Sequence, residues 1–441
     1  MIIGLGKTGL ATLRFLAGRG ALSFVTDAKP TGEVERLLEG QELRAQATIV
    51  AYDPSCLAKV DLVVPSPGVP PSNPLLQEAV RRQVPIISEI ELAYRFLSCP
   101  VIAITGTNGK TTTTTLTGNI LKRAGKKVFV GGNIGDPLIG FAAGAQDADY
   151  AVVEVSSFQL QWIEYFCPAV ATLLNTTCDH VNYHGSFGAY RQIKERIFAN
   201  QTRGQLAVLN AAEPSSRLLA PQLVSRVTCF NSTAPVAAGM HLAAEGLVYL
   251  SDNGRREIYP LDMVRIPGRH NLENVMAAIL SVQDCGVSRE ESIAAIADFT
   301  GLPHRIAFAG KKRGVAFYDD SKATNVDAVV RALESFSGPL ILLMGGRDKD
   351  GDFETLAPLV KGKVTELIVF GEARQRIGQA LGGSVATRAV NTLQEAIRAA
   401  YQQAVTGDTV LLSPGCASFD EFSDYKARGL FFQKAVGSLD E

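Results

Sequence analysis

The run Val101-Ile-Ala-Ile-Thr-Gly-Thr-Asn-Gly-Lys-Thr-Thr-Thr-Thr-Thr115 constrains this chain more than any other stretch. A β-type apolar segment, Val101 to Ile104, enters a turn containing Gly106 and Gly109. Lys110 follows, and a helical pattern then runs from about Thr112 to Ala124. Strand, glycine turn and helix in that order make a phosphate-binding loop. Backbone N–H groups freed by the glycines converge on phosphate oxygens, the helix start adds about half a positive charge, and the lysine adds a mobile full one. The Thr111 hydroxyl stands where such loops offer a ligand to Mg²⁺. The common form reads G-x-x-x-x-G-K-[ST], but the position five before Gly109 is Ile104, so only G-x-x-G-K-T remains. The loop is shorter, which points away from the common nucleotide switches and motors.

A length of 441 residues exceeds one ordinary core and predicts two to four domains. Apolar content of 46% with 20% charge is that of a soluble globular enzyme. The net charge of −1, with acids and bases interleaved, gives no bulk attraction to polyanions, so no nucleic-acid partner is expected. The chain opens on an apolar strand with no signal segment, and no apolar run reaches the length of a membrane span. Cysteines 56, 99, 167, 178, 229, 285 and 416 are odd in number and lack C-x-x-C spacing, which fits free thiols in a reducing cytoplasm. No membrane partner is expected.

Three α/β segments follow one another. The first, about 1–90, begins Ile2-Ile-Gly-Leu-Gly-Lys-Thr-Gly9, with a helix to about Arg19, a strand Leu22 to Thr26 ending at Asp27, and a strand Val60 to Val64 running into Pro65-Ser-Pro-Gly68. A G-x-G-x-x-G turn with an acid about 18 residues on lets a pyrophosphate rest on the first helix start. A dinucleotide and a nucleotide-diphosphate substrate would use it equally, and the first strand is unusually short. The second segment, about 91–301, holds the phosphate loop and buried-type strands at Tyr150 to Val155, Ala169 to Leu174 and Gln205 to Leu209. Helical patterns between them predict a mostly parallel sheet. Residues 226–260, with the turn Asp252-Asn-Gly254, read as a small antiparallel excursion. The third segment, about 302–441, has strands at Val315 to Tyr318, Leu340 to Met344, Leu367 to Phe370 and Thr409 to Leu412, with helical patterns such as Val326 to Ser335 and Leu393 to Ala404. Gly301-Leu-Pro303 is the natural hinge. The fold class is thus α/β in three domains: Rossmann-like, a central phosphate-loop mononucleotide-binding domain, and Rossmann-like again.

Carboxyl ends of parallel strands face the ligand crevice. Glu154 closes one such strand and is placed to hold Mg²⁺, and another ends Leu174-Asn-Thr-Thr-Cys-Asp-His180, bringing a carboxylate and an imidazole to the same rim. Lys194 lies on an amphipathic helical pattern and by itself reads as a surface lysine. In the third segment, Tyr318-Asp-Asp-Ser-Lys-Ala-Thr-Asn325, Gly345-Gly-Arg-Asp-Lys349 and Ser413-Pro-Gly-Cys-Ala-Ser418 each follow a predicted strand and should gather on one face. Arg305, Lys322 and Lys349 with the hydroxyls of Thr324 and Ser418 make a site for small anions such as carboxylates.

Together these motifs resemble the Mur ligase family of ATP-dependent amide-forming enzymes over essentially the whole chain. Thr105-Gly-Thr-Asn-Gly-Lys-Thr111 carries the family resemblance, and Gly301-Leu-Pro-His-Arg305 is shared widely in it. The opening Gly-Leu-Gly-Lys-Thr-Gly9, Asp320-Ser-Lys-Ala-Thr-Asn325 and Ser413-Pro-Gly-Cys-Ala-Ser-Phe-Asp-Glu-Phe422 point to its D-glutamate-adding branch. The resemblance implies that 1–90 binds a UDP substrate, 91–301 binds ATP and 302–441 binds the amino acid. Lys7 and Thr8 would meet the pyrophosphate, Asp27 and Ala28 the uracil, and Ser66, Gly68 and Asn133 the rest of that substrate. Gly106, Thr107, Asn108, Gly109, Lys110, Thr111 and Thr112 would cradle ATP, with Asn271, Arg305 and Asp320 completing its site. Thr111 and Glu154 would bind one Mg²⁺ and His180 a second, with Lys194 carbamylated to an anion that binds or orients metal. Lys110, Glu154, His180 and Lys194 would be the catalytic groups, and Lys322, Thr324, Lys349, Ser418 and Tyr425 the D-glutamate pocket.

By the same resemblance, ATP phosphorylates the alanyl carboxylate of UDP-N-acetylmuramoyl-L-alanine, and the D-glutamate amine attacks the acyl phosphate. A monomer closing about residue 301 is expected. Two rival readings are a nicotinamide-dependent oxidoreductase, from the first glycine turn, and a non-catalytic nucleotide-binding regulator. Within the family, a ligase adding another amino acid or a folate-polyglutamylating enzyme is the nearest rival.

Overall fold

Buried strands alternating with helices build three sheets among the residues that the structure, a computed structural model, describes: 1–39, 43, 47–336 and 338–440. The chain divides into two compact units. The first comprises Met1–Thr176, His180–Met263 and Glu273–Asp298, and the second Thr177–Asp179, Val264–Leu272 and Phe299–Glu441.

In the first unit, β1 (Ile2–Ile3), β2 (Ser23–Thr26), β3 (Ala47–Ile49) and β4 (Val64–Pro65) form a parallel sheet in the order β3-β2-β1-β4. Two residues suffice for β1 because both its faces are covered. Ile3 packs with Leu57, Val63 and Leu75, and Ile2 with Leu13, Val25 and Leu38. The helix Lys7–Ala17 starts at once after the glycine turn, and Gly9 lies so close to the Gly4 carbonyl that a Cβ would overlap it. The strand expected over 60–64 is corrected. Pro54–Lys59 is a 3₁₀ helix capped by Asp53, the strand is only Val64–Pro65 with Val63 bridged to Ile86 beside it, and Val60 and Val63 fill the core.

The second sheet holds β5 (Val101–Thr105), β6 (Val128–Gly132), β7 (Tyr150–Glu154), β8 (Val170–Leu173), β9 (Leu206–Asn210), β10 (Arg226–Asn231), β11 (Gly239–Ala243), β12 (Gly246–Leu250) and β13 (Arg256–Tyr259). Its order is β13-β12-β11-β10-β9-β8-β5-β7-β6. The excursion over 226–260 is antiparallel only in its second half. β10 pairs parallel with β9 and β11 parallel with β10, and only β12 and β13 reverse, joined by the expected turn at Gly254. A hairpin between β10 and β11 would need a short tight turn. Residues 232–238 instead carry the chain back across, and Gly239 then fits against the Cys229 backbone where any side chain would overlap.

The second unit contains β14 (Ala307–Lys312), β15 (Val315–Asp319), β16 (Leu340–Gly345), β17 (Val364–Phe370), β18 (Thr387–Ala389) and β19 (Thr409–Gly415), ordered β14-β15-β19-β16-β17-β18. Only β14 is antiparallel to its neighbour, so the carboxyl ends of β15, β19 and β16 share one edge.

Glu91 anchors the helix Glu89–Tyr94 within the first unit. Its fully buried carboxylate accepts the N–H groups of Glu164, Tyr165 and Phe166 at 2.9, 3.0 and 2.8 Å, and Arg95 Nε at 2.9 Å. Glu91→Gln turns an amide NH₂ toward these donors and should cost about 2 kcal/mol, on the scale of a buried donor left unmatched. A thermal unfolding midpoint equal to the parent's would contradict this.

Candidate functional site

The phosphate loop sits at the carboxyl end of β5, flanked by β7 and β8, with Ile104 opposite Glu154 and Thr105 opposite Leu173. Gly109 caps the helix Lys110–Arg123 at φ +86°, where an added Cβ would overlap Asn274 Oδ1. Asn175, just past β8, clamps the loop from outside. Its carbonyl accepts Thr107 N, its Oδ1 accepts Asn108 N at 2.9 Å, and its Nδ2 donates to the Asn108 carbonyl. Lys110 Nζ donates to the carbonyls of Gly106 and Thr107, each at 2.8 Å.

Lys194 is not a surface residue. It is 1% exposed, and its Nζ donates to the same Gly106 carbonyl at 2.8 Å and lies 4.8 Å from the Tyr190 ring centroid. The helix Phe187–Glu195 turns its apolar stripe inward, and Lys194 lies on that stripe beside Tyr190. The Tyr190 hydroxyl meets Thr107 Oγ1 at 3.1 Å.

Glu154 is 2% exposed. Asn133 Nδ2 donates to its Oε1 at 2.8 Å, whereas its buried Oε2 has no hydrogen-bond partner among the described residues. A buried carboxylate oxygen without a donor fits a cation. Thr111 follows Lys110 in the first turn of the loop helix. Among the described residues no cluster of three or more His, Cys, Asp or Glu could hold a metal. That donor set suits Mg²⁺, which takes one or two protein oxygens and fills its octahedron with phosphate and water. His180, at φ +52°, precedes the short helix Val181–His184, and its ring packs on Phe158 at 4.8 Å. Burial first, then the nearby His180 and Lys194 charges, push the His184 imidazole down to about 4, and its Nε2 meets Ser157 Oγ at 3.0 Å.

In the first sheet, Asp27 braces the glycine turn. Its carboxylate accepts Leu5 N at 2.7 Å and Lys29 N at 3.0 Å, and Ala28 beside it is exposed. Ser66 Oγ donates to the Gly4 carbonyl at 2.7 Å, and Gly68 is exposed in the same turn. Lys7 reaches the loop after β6, donating to the Gly135 carbonyl and pairing with Asp136 at 3.0 Å, while Thr8 begins the helix behind it.

In the second unit, the three loops expected to share a face do so. Asp320 N donates to Leu412 O, Gly415 N to Ala323 O, and Arg347 and Ala417 exchange two backbone bonds. Asp320 takes Ser413 Oγ at 2.9 Å. Lys322 stacks its ammonium 3.8 Å from the Tyr425 ring centroid, with Thr324 half-buried, Ser418 buried and Lys349 exposed. Asn271 Nδ2 donates to the Pro267 carbonyl, and Arg305 lies near enough to Asp320 to favour its ionised form. Asp179 groups with this unit and accepts Asn325 Nδ2 at 3.0 Å.

Sequence reasoning missed Asn175, Tyr190 and Arg428. Asn175 lay in view directly after a strand, the position that had already marked Glu154. Arg428, fully buried, donates to Ser321 Oγ and to the carbonyls of Ser321, Cys416 and Ala417, and nothing in its helical sequence context marks it.

Comparison with known proteins agrees along the chain. Residues 1–88 match the model of the Mur ligase MurD-like N-terminal domain, 104–282 the Mur ligase middle domain, and 304–416 the Mur ligase glutamate ligase domain. The UDP-N-acetylmuramoylalanine–D-glutamate ligase of Syntrophus aciditrophicus is 57% identical over 99% of this chain and 97% of its own. That of Geotalea uraniireducens is 44% identical over 100% and 97%. Among solved structures, a pseudomurein peptide ligase type C from Methanothermus fervidus superposes with a TM-score of 0.62 at 18% identity, over 99% of each chain.

Two expectations follow from this geometry. Gly109→Ala must displace Asn274 or the loop and should weaken binding of a nucleotide triphosphate at least about tenfold, measured by calorimetry. Burial pushes the Asp320 carboxyl from 3.8 up to about 7, against the opposing pull of the Ser413 hydroxyl and Arg305. The folded chain therefore keeps a proton that the unfolded chain has lost, a contribution full below about pH 4 and gone once pH passes about 7. Asp320→Asn lacks this dependence. Its unfolding midpoint should gain on the parent's from pH 5 to pH 8, and a flat difference would refute the assignment.

Proposed function

This chain belongs to the Mur ligase family, and from that premise we propose that it joins D-glutamate to UDP-N-acetylmuramoyl-L-alanine in peptidoglycan precursor synthesis. The reaction is driven by ATP and releases ADP and phosphate. In this reading it works in the cytoplasm as a monomer on small-molecule substrates. Residues 1–90 bind the UDP substrate through Lys7, Thr8, Asp27, Ala28, Ser66 and Gly68, with Asn133 from the central domain. Residues 91–301 bind ATP and residues 302–441 bind D-glutamate.

The observation that carries this reading is the convergence of Lys110 and Lys194 on one loop carbonyl, at the sheet edge where Glu154 keeps a buried oxygen with no donor among the described residues. A carboxylate resists attack by an amine because its charge and poor leaving group oppose it. Transfer of the γ-phosphoryl group to the alanyl carboxylate forms a C–O–P bond and breaks the γ–β phosphoanhydride, giving ADP. The D-glutamate amine then attacks the acyl carbon, loses a proton, and expels phosphate as the amide forms. Gly106 to Thr112 hold the triphosphate in line, and Lys110 bears the charge that builds on the transferred group. Asn271, Arg305 and Asp320 are assigned to the nucleotide. Lys322, Thr324, Lys349 and Ser418 take the D-glutamate carboxylates, with Tyr425 against its stem.

Mg²⁺, when bound, neutralises phosphate charge and polarises the transferred group. Thr111 and Glu154 would hold one ion and His180 a second. Carbamylation of Lys194, in which the ammonium loses one proton, the neutral amine adds carbon dioxide and a second proton leaves, would turn a cation into a ligand or orienting anion.

ADP release assayed over a panel of amino acids, with UDP-N-acetylmuramoyl-L-alanine as acceptor, should respond efficiently to D-glutamate alone. Lys110→Ala should lower turnover at least about a hundredfold, the scale of removing a donor from developing charge. Equal turnover with several amino acids, or phosphate release without the acceptor, would sink the proposal.

A further inference from the structure

We propose that Tyr183 is a positioning residue whose hydroxyl holds the 66–69 turn of the first sheet against the loop carrying His180, and so tightens binding of the UDP-linked acceptor. The inference rests on the preceding reading, which assigns Ser66 and Gly68 to that acceptor.

On its inner side the 66–69 turn is tied to the glycine-rich opening. Ser66 N donates to Ile3 O at 2.8 Å, Ser66 Oγ to Gly4 O at 2.7 Å, and Val69 N closes the turn on Ser66 O at 3.0 Å. On its outer side, the Tyr183 hydroxyl donates to Val69 O at 2.9 Å across 114 residues of sequence. Both residues lie in the first unit.

Tyr183 itself is held firmly. It stands on the short helix Val181–His184 directly after His180, and its ring lies 4.4 Å from Phe158. Phe158 also packs on His180 at 4.8 Å and stacks on His184 at 5.7 Å, so one ring fixes the tyrosine and the histidine to each other. His184 in turn packs on Tyr190, which reaches Thr107 of the phosphate loop. Burial pushes the Tyr183 phenol up to about 12, so it remains a donor across any assay pH. The hydroxyl is thus the polar end of an aromatic cluster whose other end touches the phosphate loop. It donates to the turn that would meet the acceptor.

Tyr183→Phe keeps the ring and deletes only this bond. Losing one such bond should raise KM for UDP-N-acetylmuramoyl-L-alanine about fivefold, with kcat and the KM values for ATP and D-glutamate within about twofold of the parent. The backbone N–H groups of Ser66, Gly68 and Val69 should exchange faster with solvent deuterium. A purely packing role predicts no change in acceptor KM or in exchange, and either result overturns the inference. A parallel rise in all three KM values, or a large fall in unfolding midpoint, overturns it as well by showing general loosening. The parent is assayed first. A parent without D-glutamate-dependent ADP release overturns the ligase reading and this inference with it, whereas a competent parent with an unaltered Phe variant overturns this inference alone.

Discussion

The carbonyl oxygen of Gly106 accepts two lysine ammonium groups, one from Lys110 four residues on and one from Lys194 eighty-eight residues on. A carbonyl has two lone pairs, and this one has both donors cationic. Burying Lys194 to 1% exposure beside a second cation is costly unless negative charge is supplied close by. The shared acceptor fixes the loop against the helix Phe187–Glu195. The Asn175 clamp and the left-handed Gly109 keep the backbone from relaxing around the two charges. The parallel sheet makes the meeting possible, because β5, β7 and β8 all end at this edge.

How legible this was depended on how local each signal is. The phosphate loop occupies one continuous stretch, and its physics is fixed by residues adjacent in sequence, so strand, turn, lysine and helix could be read directly. Glu154 was readable because it closes an apolar run. Lys194 was not, since its burial is set by a loop far away in sequence, and an amphipathic helix alone reads as placing it in solvent. β6 was hidden by its own chemistry. It ends in Gly131 and Gly132, where an added Cβ would overlap the Asp136 carbonyl and Phe129 ring or the Glu154 backbone, and glycines in sequence read as a turn. β14 was hidden by Gly310 and paired lysines on a half-exposed edge strand with a bulge. The parallel pairing of β10 and β11 depended on where residues 232–238 travel, which no periodicity encodes.

The second unit solves a different problem with a similar economy. Its three loops must be held in phase, yet they come from strands separated by up to a hundred residues. Arg428 ties the first and last of them from a helix, giving its guanidinium to the Ser321 hydroxyl and to three carbonyls, and the middle loop joins through the paired backbone bonds of Arg347 and Ala417. Burial pushes its guanidinium down to about 10. A planar fork of five donors in fixed geometry can serve a hydroxyl and three carbonyls at once, where a lysine has only three donors. Beside it His304 and Gln433 both meet the buried carboxylate of Asp319, which fixes the strand end from which Asp320 projects.

The two units thus differ in what they fix. In the first, cations and a carboxylate oxygen are held in place before any ligand arrives, so the strong electrostatics there need little reorganisation. In the second, the buried groups Arg428, His304 and Asp319 stiffen the scaffold, while Lys349 stays exposed and Lys322 rests on an aromatic face. Such cations can turn toward a carboxylate at small cost, because leaving solvent or a ring face is cheaper than breaking a buried hydrogen bond. Under the proposed assignment, rigid phosphate chemistry and adaptable amino-acid capture would call for different surroundings, and the buried Lys194 and Glu154 contrast with the half-buried Lys322 and exposed Lys349 accordingly.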